Sequence, residues 1–255
     1  MVSNYPAERT AVITGAGSRR GIGFALASRL GHAGWNLGMF DRDALELKER
    51  AEALRRAGAH VVVQAVDVTD PTQIEAGAAA VERELPPVVA LANIAGISDP
   101  TKFLDTDLDR WNLVLGVNAT GTFLMMKRFV PGMVERGVGR VVNLSSTAAQ
   151  TGGGTYSATA YAASKCAIEG LTHGAALELG PTGVTVNVVS PAVIDTDIMG
   201  GQITDERKPA FVAGLPVGRL GRADEVAALI EFLIGPDAGY ITGAAYNING
   251  GARIG

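Results

Sequence analysis

Thr10-Ala-Val-Ile-Thr-Gly-Ala-Gly-Ser-Arg-Arg-Gly-Ile-Gly23 is the stretch on which the fold reading turns. A β-branched run passes into a glycine-rich loop and then directly into a helical pattern over 22–33. That pattern keeps Ile22, Ala25, Leu26, Leu30 and Ala33 on one face. Glycines at such a junction allow a tight turn and let backbone N–H groups approach a pyrophosphate, and the helix N-terminus adds partial positive charge. A glycine-rich strand-to-helix junction therefore predicts a dinucleotide cradle, with Gly15, Ser18, Arg20, Gly21 and Ile22 as its contacts. The competing reading is a plain tight turn. Asp41 ends the next apolar run, 20 residues after Gly21. A carboxylate at that spacing hydrogen-bonds an adenosine ribose 2′-OH and repels a 2′-phosphate, which favours NAD over NADP. Arg42, Arg19 and Arg20 could partly neutralise such a phosphate, and Asp41 has a rival role as the N-cap of the next helix.

Outward from this loop, apolar runs alternate with helical stretches. The runs are Thr10 to Thr14, Asn36 to Phe40, His60 to Val66, Val88 to Asn93, Arg140 to Leu144, Val184 to Val189 and Ala245 to Ile248. They are apolar throughout, as strands buried on both faces are. The helical stretches are 22–33, 43–57, 71–85, 108–136, 159–179 and 223–234, and Pro131 should kink or disturb the longest. Such alternation predicts an α/β class: a single doubly wound Rossmann domain over 1–255, with a parallel seven-stranded sheet and helices on both faces. The stretch 195–215 is the least regular and reads as a substrate lid. Asp195 and Asp197 within it read equally as substrate contacts or as solvated lid residues.

Composition narrows the class of function. With 22 Lys plus Arg against 26 Asp plus Glu, the net charge of −4 excludes the basic footprint of a nucleic-acid binder. No apolar run approaches the roughly 20 residues of a membrane helix, and Met1 to Gly17 does not read as a signal peptide. Cys166 is the one cysteine, and His32, His60 and His173 have no ligand spacing. No metal and no disulfide are expected, and the chain reads as cytoplasmic.

Tyr161-Ala-Ala-Ser-Lys165 places a phenol and an ammonium at i and i+4 on one helix face. An ammonium beside a phenol favours the phenolate, so the pair predicts a Tyr that can exchange a proton near neutral pH. A surface Tyr–Lys pair is the bland alternative. Upstream, Val141-Val-Asn-Leu-Ser-Ser146 ends a strand where doubly wound sheets bind ligands. Neighbouring strand side chains point opposite ways, which leaves Ser145 or Ser146 as the candidate, with Ser146 preferred.

With Asn93-Ile-Ala-Gly96, Asn118, Asp67-Val68, Pro191-Ala-Val-Ile-Asp-Thr196 and Asn249-Gly-Gly251, these motifs resemble the short-chain dehydrogenase/reductase family from about Thr10 to Gly251. The resemblance implies Tyr161 as general acid/base and Lys165 as holder of the nicotinamide ribose. It implies Ser146 as the hydroxyl that positions the substrate oxygen, and Asn118 as a local helix breaker holding a relay water. Asp67 and Val68 would flank the adenine, and Asn93, Ala95 and Gly96 would line the adenosine ribose side. Pro191, Ile194 and Thr196 would hold the nicotinamide end. The implied chemistry is hydride transfer between NAD(H) and a secondary alcohol or ketone, in a homotetramer or dimer. Long helices at 108–136 and 159–179 would form one interface and 223–251 another.

The sequence departs from the family pattern in places. Five residues separate Gly15 from Gly21 where three are usual, Ile94 replaces an Asn, and Ala192 replaces a Gly. Asn249 stands where Asp is usual, and Ser146 to Tyr161 is about two residues longer than the commonest spacing. Enoyl reductases share the longer loop but place Lys about seven residues after Tyr, so the spacing here favours ketone chemistry. Two rivals stand beside this reading. One is an NADPH-dependent 3-oxoacyl-acyl-carrier-protein reductase, kept in view by Arg207, Lys208, Arg219 and Arg222. The other is a catalytically silent dinucleotide sensor. Gly152-Gly-Gly154 is expected to make room for substrate bulk, with Gly153 as the test position.

Overall fold

The computed structural model describes residues 5–154 and 156–254, so the ends of the expected 1–255 domain and residue 155 lie outside the described residues. Seven strands form one sheet: β1 (Thr10–Thr14), β2 (Asn36–Asp41), β3 (Val61–Ala65), β4 (Val88–Asn93), β5 (Gly139–Leu144), β6 (Val184–Pro191) and β7 (Ala245–Ile248). Their order is β3-β2-β1-β4-β5-β6-β7 and every pairing is parallel. The order reverses direction between β1 and β4, and in such sheets the crevice off the carboxyl ends at that point takes the ligand.

The continuous apolar runs follow from two separate cores. In β1, Ala11 and Ile13 face one side, where they pack with α1 (Ile22–His32), α2 (Ala44–Arg56) and α9 (Ala223–Ile234). Val12 faces the other side, against α3 (Pro71–Glu84) and α5 (Gly121–Arg136). A strand buried on both faces cannot alternate apolar with polar. Helix starts follow local chemistry. Asp43 caps α2 by accepting from Leu45 and Glu46 N–H groups, and Asp70 caps α3 ahead of Pro71.

The expected single helix over 108–136 is corrected. It is α4 (Leu108–Leu115), a π turn over Gly116–Thr120, and α5. The irregularity lies around Asn118, while the α-helix runs through Pro131 to Arg136. The remaining helices are α6 (Ala148–Thr151), α7 (Thr159–Leu179) and the short α8 (Lys208–Val212). Among the described residues no helix is long and apolar enough to cross a membrane.

The glycine loop packs at backbone contact distance. A Cβ on Gly23 would stand 2.3 Å from the Gly15 carbonyl oxygen. Gly23→Ala must push α1 off β1, so it is expected to cost about 1–3 kcal/mol of stability and weaken dinucleotide binding. Thermal unfolding with and without NADH checks this, and an unchanged Tm would contradict the packing argument.

Candidate active site

Gly15 adopts φ +68, a conformation that suits glycine, where a Cβ would stand 2.9 Å from the Ala95 nitrogen at the end of β4. Thr14 ties the same two strand ends together, its Oγ1 accepting from Ile94 N at 2.9 Å and Ala95 N at 3.0 Å. Asp41 stands beside the loop, and its Oδ2 accepts from Gly17 N at 2.8 Å. Its Oδ1 accepts from Asp43 N, and the cap of α2 is Asp43 itself, so the capping role proposed for Asp41 falls to its neighbour.

Arg20 requires a correction. Its guanidinium pairs with Asp195 at 2.5 Å and Asp197 at 3.4 Å, and Ser18 donates to Asp197 at 3.1 Å. These side chains reach the lid, so Asp195 and Asp197, although still partly exposed, are ion-pair partners of the glycine loop. Half-exposed pairs like these are individually weak, and it is as a small network that they join the lid to the glycine loop. Arg19 and Arg42 are exposed.

These residues fit a dinucleotide. The cradle of Gly15, Gly17 and Gly23 is space that a Cβ would fill, and a carboxylate closes its β2 side. Asp67 and Val68 follow β3, two strands from β1, and Val68 packs under Gly121. Asn93 is turned away from the crevice: its Nδ2 donates to Asn143 Oδ1, and Asn143 donates to Thr172 on α7. The Asn93 side chain therefore acts as a buried strut, leaving the backbone at Ala95 and Gly96 to face the crevice.

The two serines after β5 separate cleanly. Ser145 is buried beneath α7, donating to the Lys165 carbonyl and to Glu169 Oε1. Ser146 lines the cavity and hydrogen-bonds the Tyr161 phenol. Asn118 is fully buried: its Oδ1 accepts from Ile97 N at 2.9 Å, and its Nδ2 donates to Ile97 O and Ser164 Oγ. The π turn thus locks the loop after β4 onto α7 just where Tyr161 and Lys165 project. The sequence reading missed this use of Ser164, although it lies inside the Tyr-to-Lys motif.

Lys165 Nζ lies 5.5 Å from the Tyr161 ring centroid and donates to the Leu144 carbonyl at 2.8 Å. The expected lowering of the Tyr161 pKa is corrected. Burial raises it, and the hydrogen bond from Ser146 only partly opposes that. Burial also draws the Lys165 ammonium down to about 8. Below pH 8 the folded protein bears the cost of a buried ammonium. From pH 8 to about 10.5 the unfolded chain holds a proton that the folded chain has released, so stability from this group rises with pH. Lys165→Met is therefore expected to gain up to about 3 kcal/mol relative to wild type at pH 7. The gain should shrink between pH 8 and about 10.5 while turnover falls. Paired urea unfolding curves across that range check it, and a pH-independent difference would contradict it.

Ser146 and Tyr161 open into a cavity of about 430 Å³ that also touches Ile22, Pro191, Ile194 and Thr196. The lid supplies Ile198, Ala210, Phe211 and Gly214. Gly153 requires a correction: at φ +114 its Cβ would meet the Ser157 carbonyl at 2.4 Å, so backbone closure and not substrate room demands glycine there. Gly154 has open space and is the better position for a bulk test.

Comparison with known proteins places this arrangement among relatives. The family model described as enoyl-(acyl carrier protein) reductase matches residues 15–253. An uncharacterised short-chain type dehydrogenase/reductase of Sinorhizobium fredii is 37% identical, over 96% of this chain and 98% of its own. A 2-(S)-hydroxypropyl-CoM dehydrogenase of Xanthobacter autotrophicus is 34% identical over 98% of each chain. A 3-oxoacyl-[acyl-carrier protein] reductase from Brucella melitensis, solved with bound NAD, superposes with TM-score 0.88. It is 31% identical, with 99% of this chain and 94% of that one covered.

Proposed function

This chain belongs to the short-chain dehydrogenase/reductase family, and from that premise we propose that it transfers hydride between NAD(H) and a secondary alcohol/ketone pair. The observation that carries the proposal is Tyr161, buried at the cavity wall with Ser146 hydrogen-bonded to its phenol and the Lys165 ammonium beside its ring. Nicotinamide, when bound, supplies the hydride in reduction and takes it up in oxidation. Ser146 holds the substrate oxygen, and Tyr161 gives it a proton in reduction or takes one in oxidation. Lys165 and Asn118 fix the geometry, and Ile194 and Thr196 present the nicotinamide end. Asp41 favours NAD(H), and the Brucella reductase, solved with NAD, supports the capacity of this fold for that form.

The Tyr161–Lys165 spacing of i and i+4 favours ketone over enoyl chemistry, although the matching family model is described by the latter. The second reading, a reductase of 3-oxoacyl chains on a carrier protein, is favoured by the likeness to the Brucella enzyme. Exposed Leu104, Leu108 and Tyr240 support a homo-oligomer. The test is to assay ketones, secondary alcohols and a 3-oxoacyl thioester with NAD(H) and NADP(H) in parallel. NADH-linked ketone turnover supports the proposal. Turnover confined to the thioester with NADPH would replace it, and dinucleotide binding without turnover would point to a sensor.

A further inference from the structure

The cavity wall has no charged side chain among its described residues. At its rim, the rings of Tyr156 and Phe211 lie 5.0 Å apart. The Arg207 guanidinium stacks on both, 4.6 Å from the Tyr156 centroid and 5.8 Å from that of Phe211. Its Nε donates to the Tyr156 hydroxyl at 3.1 Å. Tyr156 is itself held in place, since Ser98 donates to its carbonyl oxygen.

The other charges of the lid have partners. Lys208 pairs with Asp205, Asp195 and Asp197 pair with Arg20, and Glu206 accepts a hydrogen bond from Thr204. Among the described residues no carboxylate stands within ion-pair distance of Arg207. Ring stacking and the single Nε–H bond hold the guanidinium without using its two Nη groups, which remain for a bidentate oxyanion. A half-buried cation fixed this way, beside a neutral cavity, is a recognition element in search of an anion supplied from outside the chain.

We propose that Arg207 binds a compact oxyanion of the substrate, a carboxylate in its simplest form, opposite the carbonyl that Ser146 and Tyr161 face. The substrate is then a short oxo acid or the corresponding hydroxy acid. The cavity is shared with the nicotinamide end, as its contacts with Ile194 and Thr196 require, which leaves room for a short chain only. This inference rests on the alcohol/ketone reading above.

The test compares 3-oxobutanoate, 4-oxopentanoate and 5-oxohexanoate, each with its methyl ester, in wild type, Arg207→Gln and Arg207→Lys. Wild type should favour one of the acids over its ester. In Arg207→Gln the acid-to-ester ratio of kcat/KM should fall about 10- to 100-fold, mainly through KM, with partial recovery in Arg207→Lys. A wild-type preference for esters, or a ratio unchanged by Arg207→Gln, overturns the anion site while leaving the oxidoreductase reading intact. Calorimetric titration of the acids onto the NADH complex separates the two ideas. Binding lost in Arg207→Gln without turnover keeps the anion site and removes the ketone chemistry. No binding of any acid removes the anion site.

Discussion

Tyr161→Phe is expected to lower kcat by about 10²- to 10⁴-fold while NADH binds as it does in wild type. The phenol is the one protic group that both touches Ser146 and stands beside Lys165 at the cavity wall, so no described neighbour can take over its proton. Removing the hydroxyl leaves the ring packing and the dinucleotide cradle in place. Losses in kcat and kcat/KM should therefore be equal, as for an interaction made only in the transition state. Burial raises the Tyr161 pKa, which gives the wild type a directional pH dependence. Alcohol oxidation, which needs the Tyr161 phenolate to accept a proton, should climb as pH rises above neutrality, whereas ketone reduction, which needs the neutral phenol, should not. Stopped-flow hydride transfer with nucleotide fluorescence as the binding control checks both statements. Retained turnover in Tyr161→Phe would remove this residue from the mechanism.

The second large effect is expected at Asp41. Asp41→Asn keeps an acceptor for Gly17 N–H but removes the charge. Wild type should bind NADH more tightly than NADPH, and the variant should move that ratio toward NADPH by about 10- to 100-fold, some 1.4–2.8 kcal/mol. Arg20 does not counter Asp41, because it is engaged by Asp195 and Asp197 on the lid. Parallel fluorescence titrations give the ratio directly. The wild-type preference should also narrow at high salt, since repulsion between exposed charges is screened. Tighter NADPH binding by the wild type would mean that the exposed Arg19 and Arg42 dominate and would advance the carrier-protein reductase reading.

Whatever depends on neighbours along the chain is legible in the residues. The unbroken apolar runs, the helix opening at Asp70-Pro71, the glycine junction at 15–23 and the i, i+4 geometry of Tyr161 and Lys165 are local properties. Residue spacing therefore carried the parallel sheet, the glycine turn and the closeness of Tyr161 to Lys165. Whatever depends on which distant segments meet emerges only with packing. Ser145 was distinguished from Ser146 only when α7 covered one of them and the cavity took the other. Asn118 gained its π turn from partners at Ile97 and Ser164, and the ring stack on Arg207 joins segments 51 residues apart. Arg20 reads as a phosphate contact, and Asp195 equally as a substrate contact or a solvated lid residue, until folding pairs them across 175 residues. A charged side chain several rotatable bonds long has no preferred partner in the unfolded chain. Its partner is chosen by where the sheet sets down its loops, and those positions come from packing two cores against one sheet, which no local spacing encodes.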